Sequence, residues 1–211
     1  MSEMKDDNNN LRFDLQIIGS WIEPGSKVLD LGCGEGDLLR FLKDKRDVEG
    51  IGIEYTEEKV ARCIEKGLSV LQGDITQEIL DYPDKIFDYV ILSQTLQQVY
   101  EPAKLLGELM RIGKRGIVSF PSFSHWRVRV QLLLTGHAPK TRQLPYEWYD
   151  TPNIRVITLK DFRKFTREVG FKILKEEAIN TNGHNKPGKI IKFLPDLRAN
   201  YGIYMISEDK N

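Results

Sequence analysis

The run Val28-Leu29-Asp30-Leu31-Gly32-Cys33-Gly34-Glu35-Gly36 gathers three glycines and two carboxylates into one short turn. Glycine has no side chain and tolerates positive φ, so backbone there can approach a ligand closely. The spacing selects the ligand. Dinucleotide sites use G-x-G-x-x-G with the pyrophosphate at a helix N-terminus, whereas here the glycines fall at 32, 34 and 36 and aspartate stands at 37. Asp30, Glu35 and Asp37 would repel a pyrophosphate. They suit a ligand with an ammonium and a sulfonium, and S-adenosylmethionine is such a ligand.

Two more acids extend the pattern. Glu54 closes Gly50-Ile51-Gly52-Ile53-Glu54, where a carboxylate can accept from both hydroxyls of a ribose. Asp74, in Gln72-Gly73-Asp74-Ile75, can accept from an adenine amino group while Ile75 lies on the ring. Singly, each acid is more often a solvated strand end than a ligand contact, and the alternative for the turn is a ligand-free strand-to-helix connection. Three acids at three successive strand ends on one sheet edge point instead to one site. Its expected contacts are Asp30, Gly32, Cys33, Gly34, Glu54, Tyr55, Asp74, Ile75, Ser93 and Gln94.

These residues need a scaffold of alternating strands and helices. Strands are expected at 27–31, 48–53, 68–72, 87–93, 116–120, 171–179 and 201–207. The run at 87–93 is almost continuously apolar, as for a strand covered on both faces. Between them, Leu38, Leu39, Phe41 and Leu42 recur at helical spacing, as do Val60, Cys63 and Ile64 after a Thr56 cap. Pro102 starts a helix that buries Leu105, Leu106, Leu109 and Met110, and Thr158 with Asp161 caps one carrying Phe162, Phe165 and Val169. This alternation implies an α/β, doubly wound, mostly parallel sheet that binds ligands at the carboxyl ends of its strands. Residues 121–157 interrupt it with Trp126, Tyr146, Trp148 and Tyr149 among Arg127, Arg129, Arg142 and Arg155. An insertion of this length and composition is a lid or a partner surface.

Composition narrows the function classes. Lysine plus arginine and aspartate plus glutamate both total 31 in 211 residues, so no net field draws the chain to nucleic acid or an anionic membrane, and a small molecule is the expected ligand. No apolar run approaches the roughly 20 residues of a membrane span. The polar, acidic residues 1–10 read as a disordered tail rather than a secretory signal, and 11–211 as a single domain. Cys33 and Cys63 offer neither a disulfide framework nor a metal-ligand spacing, so no metal is expected and a reducing, cytoplasmic location is.

Catalytic residues do not declare themselves. Methyl transfer depends mainly on positioning, and a base is needed only where the acceptor must lose a proton. The turn after the fourth strand, Ser93-Gln94-Thr95-Leu96-Gln97-Gln98, lacks the Asn/Asp-Pro-Pro-aromatic sequence of enzymes that methylate amino groups of DNA bases. His125 is the one histidine near a strand end, open to a base or a capping role, while His137 and His184 have no distinct role.

Over about residues 11–120 and 158–207 the chain resembles the class I S-adenosylmethionine-dependent methyltransferases. The resemblance implies a Rossmann-like, seven-stranded sheet with its last strand antiparallel and a lid insertion after strand five. It also implies that Asp30, Gly32 and Gly34 surround the methionine moiety of S-adenosylmethionine or S-adenosylhomocysteine, that Glu54 holds the ribose, that Asp74 reads the adenine, and that Ser93 and Gln94 close the site. Three segments sharpen it: Ser93-Gln94-Thr95-Leu96-Gln97, Phe120-Pro121-Ser122-Phe123-Ser124-His125-Trp126-Arg127, and Leu144-Pro145-Tyr146-Glu147-Trp148-Tyr149-Asp150-Thr151-Pro152-Asn153-Ile154-Arg155. With them the chain is similar to the MetW family of methionine biosynthesis proteins. That resemblance implies an accessory subunit supporting homoserine O-acyltransferase, or alternatively an active methyltransferase on a small metabolite. Residues 183–200 match nothing in the family pattern, which leaves the pairing of the carboxyl-terminal strands open.

Overall fold

A computed structural model describes residues 11–141, 145–181 and 188–208. The expected tail at 1–10, Arg142, Leu144, Gly183 and His184 lie outside the described residues.

Eight strands form one sheet: β1 (Lys27–Leu31), β2 (Glu49–Glu54), β3 (Ser69–Gln72), β4 (Phe87–Ser93), β5 (Gly113–Pro121), β6 (Phe171–Asn180), β7 (Lys189–Ile190) and β8 (Tyr201–Glu208). Their spatial order is β3-β2-β1-β4-β5-β8-β6-β7. Pairs from β3 through β5 are parallel, and β8 runs antiparallel between β5 and β6. The expected seven strands are therefore joined by an eighth. It is the two-residue β7, which pairs antiparallel with β6 and falls in the stretch the family pattern left unplaced.

Helices cover both faces. On one side α1 (Phe13–Trp21) and α2 (Asp37–Arg46) bury Ile17, Ile18, Leu38 and Leu42 against Val28, Tyr89 and Ile117 of the sheet. On the other, α5 (Pro102–Ile112) and α7 (Leu159–Glu168) bury Leu106, Leu109 and Phe162 against Leu29, Val90, Val118 and Tyr204. Alternate residues of β1 thus serve opposite cores, as strand geometry requires. The helix α3 (Glu57–Glu65) flanks β3, and α4 (Ile75–Glu78) and α8 (Pro195–Arg198) are single turns.

Four helices stand outside the expected elements: α1, the single turns α4 and α8, and α6 (Trp126–Thr135), which lies inside the insertion. In α1, Leu15 and Ile18 continue a buried row with the flanking Leu11 and Ile22, and Gly19 lets Phe41 of α2 fit closely against it. On α3, Ile64, expected on the buried face with Val60 and Cys63, is 61% exposed: it follows Cys63 directly, about 100° further round the helix.

Strand order reverses between β1 and β4, and crevices outside the carboxyl ends at such a reversal are where doubly wound sheets bind ligands. The glycine turn leaves β1 at that point.

Candidate functional site

The turn between β1 and α2 is held by a few backbone bonds. Gly32, Gly34 and Gly36 take φ of 77°, 60° and 76°, a region costly to other residues. The Gly32 and Cys33 amides both donate to the Ile53 carbonyl, at 2.8 and 3.1 Å. Glu54, buried at the end of β2, accepts from the Gly34 amide at 2.9 Å with Oε2 and from the Thr56 amide at 3.0 Å with Oε1. An ionised carboxylate offers about four acceptor positions, so Glu54 shapes the loop and keeps capacity for a ligand. A Cβ on Gly34 would project into open space, whereas one on Gly32 would come within 2.8 Å of Thr95 Oγ1.

Beneath the loop, Asp30 is 3% exposed, and its Oδ1 is buried without a hydrogen-bond partner among the described residues. Burial pushes its carboxyl up to about 7, against the pull of Arg12 and with the repulsion of Glu54. An orphaned buried acceptor is costly unless something fills it. Arg12, just before α1, donates to Asp14 through Nε at 3.1 Å and through a terminal guanidinium nitrogen at 2.8 Å. Gln94 donates to the same buried Asp14 carboxylate at 2.8 Å. Burial opposes the Arg12 charge, and Asp14 more than offsets it, so the Arg12 pKa is raised.

Around these residues opens a cleft of about 1010 Å³. It is lined by Gly32, Gly34, Glu54, Tyr55, Asp74, Ile75, Ser93 and Gln94 of the expected set, joined by Arg12, Thr95, Tyr100, Lys104 and Tyr146. Asp74 caps α4, its Oδ1 accepting from the Thr76 amide at 2.8 Å and hydroxyl at 2.7 Å. Its second oxygen remains available. Ser93 and Ser119 share a hydroxyl contact at 3.0 Å, and Gln94, at φ 55°, donates its amide to the Ser119 carbonyl at 2.8 Å.

Of the expected residues, Asp30 and Cys33 do not line the cleft. Cys33 packs with Leu39, Cys63 and Leu68, and its sulfur would lie 2.5 Å from a Cβ on Gly52. Burial pushes its thiol far up, which suits filler and not a nucleophile. His125 is the N-cap of α6, Nδ1 accepting from the Arg127 amide at 3.2 Å, and it does not line the cleft. Arg12, Asp14 and Thr95 stand outside the expected set. Arg12 lies just before α1 and Asp14 in its first turn, where neither carries a local signal, and only the tertiary fold brings Asp14 to Gln94.

From the insertion, Tyr146 reaches the cleft, while Trp148 and Tyr149 form an exposed edge-on pair with centroids 5.7 Å apart. Arg155 braces the turn after β4. Its amide donates to the Gln97 carbonyl at 3.0 Å, and its guanidinium to the carbonyls of Val99, at 3.3 Å, and Tyr100. The insertion therefore adds both to the wall of the cleft and to the outer surface.

The donor set fits an amino-acid nucleoside. Of the residues that line the cleft, Arg12 offers a cation for a carboxylate, Glu54 spare acceptor positions for a diol, and Asp74 a free oxygen for an amino group, while Asp30, which does not line it, keeps an unpaired buried oxygen beneath the loop. Open space over Gly34 leaves room for the ligand body.

In fold, the chain is similar to an S-adenosylmethionine-dependent methyltransferase from Archaeoglobus fulgidus, with a TM-score of 0.65 and 15% identity over 92% of this chain and 94% of that one. A methyltransferase of the same kind from Aquifex aeolicus gives 0.57 and 18% over 96% and 93%. A ubiquinone biosynthesis O-methyltransferase of Methylococcus capsulatus is 27% identical over 84% of this chain and 75% of its own length. A bifunctional methionine biosynthesis protein MetXA/MetW of Rhodopirellula baltica is 35% identical over 72% of this chain, which spans only 26% of that relative. The family model of the methionine biosynthesis protein MetW matches residues 12–206. With the model matched along nearly the whole fold, cleft and insertion included, the chain belongs to the MetW family.

Proposed function

We propose that this protein binds S-adenosylmethionine or S-adenosylhomocysteine in the cleft and acts as an accessory subunit of homoserine O-acyltransferase in methionine synthesis. The binding half rests on Glu54 and the glycine loop, which line the cleft, with the unpaired Asp30 oxygen beneath the loop. The partner half is supported by the relative whose name joins MetXA and MetW in one bifunctional chain.

When bound, S-adenosylmethionine supplies an electrophilic methyl group on a sulfonium. The chain's own residues bind and orient it. Asp30 and Arg12 take the charged ends of the amino acid, Glu54 accepts from the ribose hydroxyls, Asp74 accepts from the adenine amino group, and Ile75 packs on the ring. Gln94, tied to Asp14, fixes the turn that closes the site. Charge-assisted contacts of this kind contribute roughly 1.5–3 kcal/mol each.

A second reading, methyl transfer to a small metabolite, is favoured by the breadth of the cleft, which continues past Tyr100 and Lys104 to Tyr146. Glu101, Glu108 and Lys104 line the same cleft, and an acceptor that is already nucleophilic would need none of them as a base.

Acyl transfer by the purified acyltransferase, assayed with and without this protein and each cofactor form, tests the first reading. Stimulation or inhibition that depends on the protein supports it, and an unchanged rate with no complex overturns it. Incubation with methyl-labelled cofactor and a metabolite extract tests the second, and labelled product supports turnover.

A further inference from the structure

The helix α6 turns its apolar side outward. Trp126, Val130, Leu133 and Leu134 stand at i, i+4, i+7 and i+8, and they are 44, 40, 82 and 76% exposed. Only Val128 of this helix is buried. A helix of 10 residues is marginal on its own, and one that exposes its apolar stripe gains little by folding against its own core. Stripes at this spacing are the anchors by which a helix enters an apolar groove of a partner.

Charge decides the partner. The helix carries Arg127 and Arg129 and no acid. Arg127 lies over the Trp126 ring at 5.4 Å, and Arg129 donates only to the carbonyls of Ser124, at 2.7 Å, and Asp196, at 3.4 Å. Neither meets a carboxylate among the described residues. A symmetric dimer through this face would set the same cations against each other, so a second copy is disfavoured. Tryptophan and arginine beside leucine are also the residues that dominate binding energy at protein interfaces.

We infer that α6 is the docking helix for the acyltransferase, inserted by Trp126, Val130, Leu133 and Leu134 into an apolar groove rimmed by carboxylates. This rests on the accessory role proposed above. The fused relative is consistent with it, since the two activities stay together on one chain there. The helix follows β5, whose Ser119 supports the Gln94 turn of the cleft, so docking and ligand occupancy share one stretch of backbone.

The test is the affinity of the purified full-length protein for the purified acyltransferase, measured by calorimetry for the wild type, Leu133→Glu with Leu134→Glu, Trp126→Ala, Arg127→Glu, and Ile64→Glu as an exposed apolar control on α3. Circular dichroism and S-adenosylhomocysteine titration establish that each variant is folded. The expected result is a loss of about 30-fold or more for the leucine and tryptophan variants, a smaller, salt-sensitive loss for Arg127→Glu, and none for Ile64→Glu. Wild-type binding that the α6 variants leave unchanged overturns the docking helix and leaves the accessory role standing. Absence of any wild-type complex overturns both. Self-association abolished by the leucine pair, or flotation with phosphatidylglycerol vesicles abolished by it, while acyltransferase binding persists, assigns the stripe to a second copy or to a lipid surface and overturns the proposal.

Discussion

Replacing Asp30 by asparagine is expected to stabilise the ligand-free protein at pH 8 and to leave it unchanged at pH 5. A carboxyl raised from 3.8 to about 7 by burial carries roughly 4 kcal/mol of penalty once fully ionised. Because the folded-state pKa is raised, Asp30 contributes its full stability below about pH 4, and that contribution is lost as pH rises through 7. Asparagine removes the charge but buries an amide that lacks part of its hydrogen bonding, at a cost of about 1–3 kcal/mol. The net gain at pH 8 is then about 2 kcal/mol, or roughly 4–8 °C in Tm for a domain of this size. Scanning fluorimetry of both proteins from pH 5 to 9 reads it directly. A Tm difference that does not change with pH would refute the buried-charge reasoning. Ligand should act in the opposite sense: an ammonium beside Asp30 favours the carboxylate, so affinity of the wild type falls by up to about tenfold per pH unit below 7, and the asparagine variant binds weakly throughout.

Other substitutions separate the parts of the site. Gly34→Ala places a methyl group in open space at φ 60°; it should cost about 1–2 kcal/mol in stability and abolish measurable cofactor binding, which thermal melts and titration distinguish. Arg12→Ala leaves the buried Asp14 with Gln94 alone and should destabilise by about 1–3 kcal/mol while weakening binding, with denaturant unfolding as the measure. Trp148→Ala combined with Tyr149→Ala removes only exposed side chains, so stability should change by less than about 0.5 kcal/mol.

Much of the fold was legible because a doubly wound sheet repeats its signals. Apolar runs such as Tyr89-Val90-Ile91-Leu92 mark the strands, and capped helices such as the one opening at Thr158 fill the gaps; there the Thr158 hydroxyl accepts from the Asp161 amide at 3.1 Å. The acids at three strand ends were readable for the same reason, since topology alone brings Asp30, Glu54 and Asp74 to one edge. What escaped depends on tertiary placement. Asp14 is buried in α1 beside Arg12, and no local pattern marks that pairing. In α6 the apolar spacing is present, but the fold leaves it facing outward, and spacing alone does not say which way a stripe faces. Cys33 sits in the right turn, yet its side chain packs with Leu39 and Cys63 rather than in the cleft. Two-residue β7 is too short for any periodicity.

Binding of S-adenosylmethionine or S-adenosylhomocysteine through Glu54 and the glycine loop is the claim on which the rest stands. Calorimetric titration of the purified protein with S-adenosylmethionine and with S-adenosylhomocysteine, repeated with Glu54→Ala, tests it most directly. The wild type should bind at least one of the two with one-to-one stoichiometry, and the variant should lose about 10- to 150-fold in affinity, the equivalent of 1.5–3 kcal/mol. No binding by the wild type, or equal binding by Glu54→Ala while its fold is intact, would contradict the account.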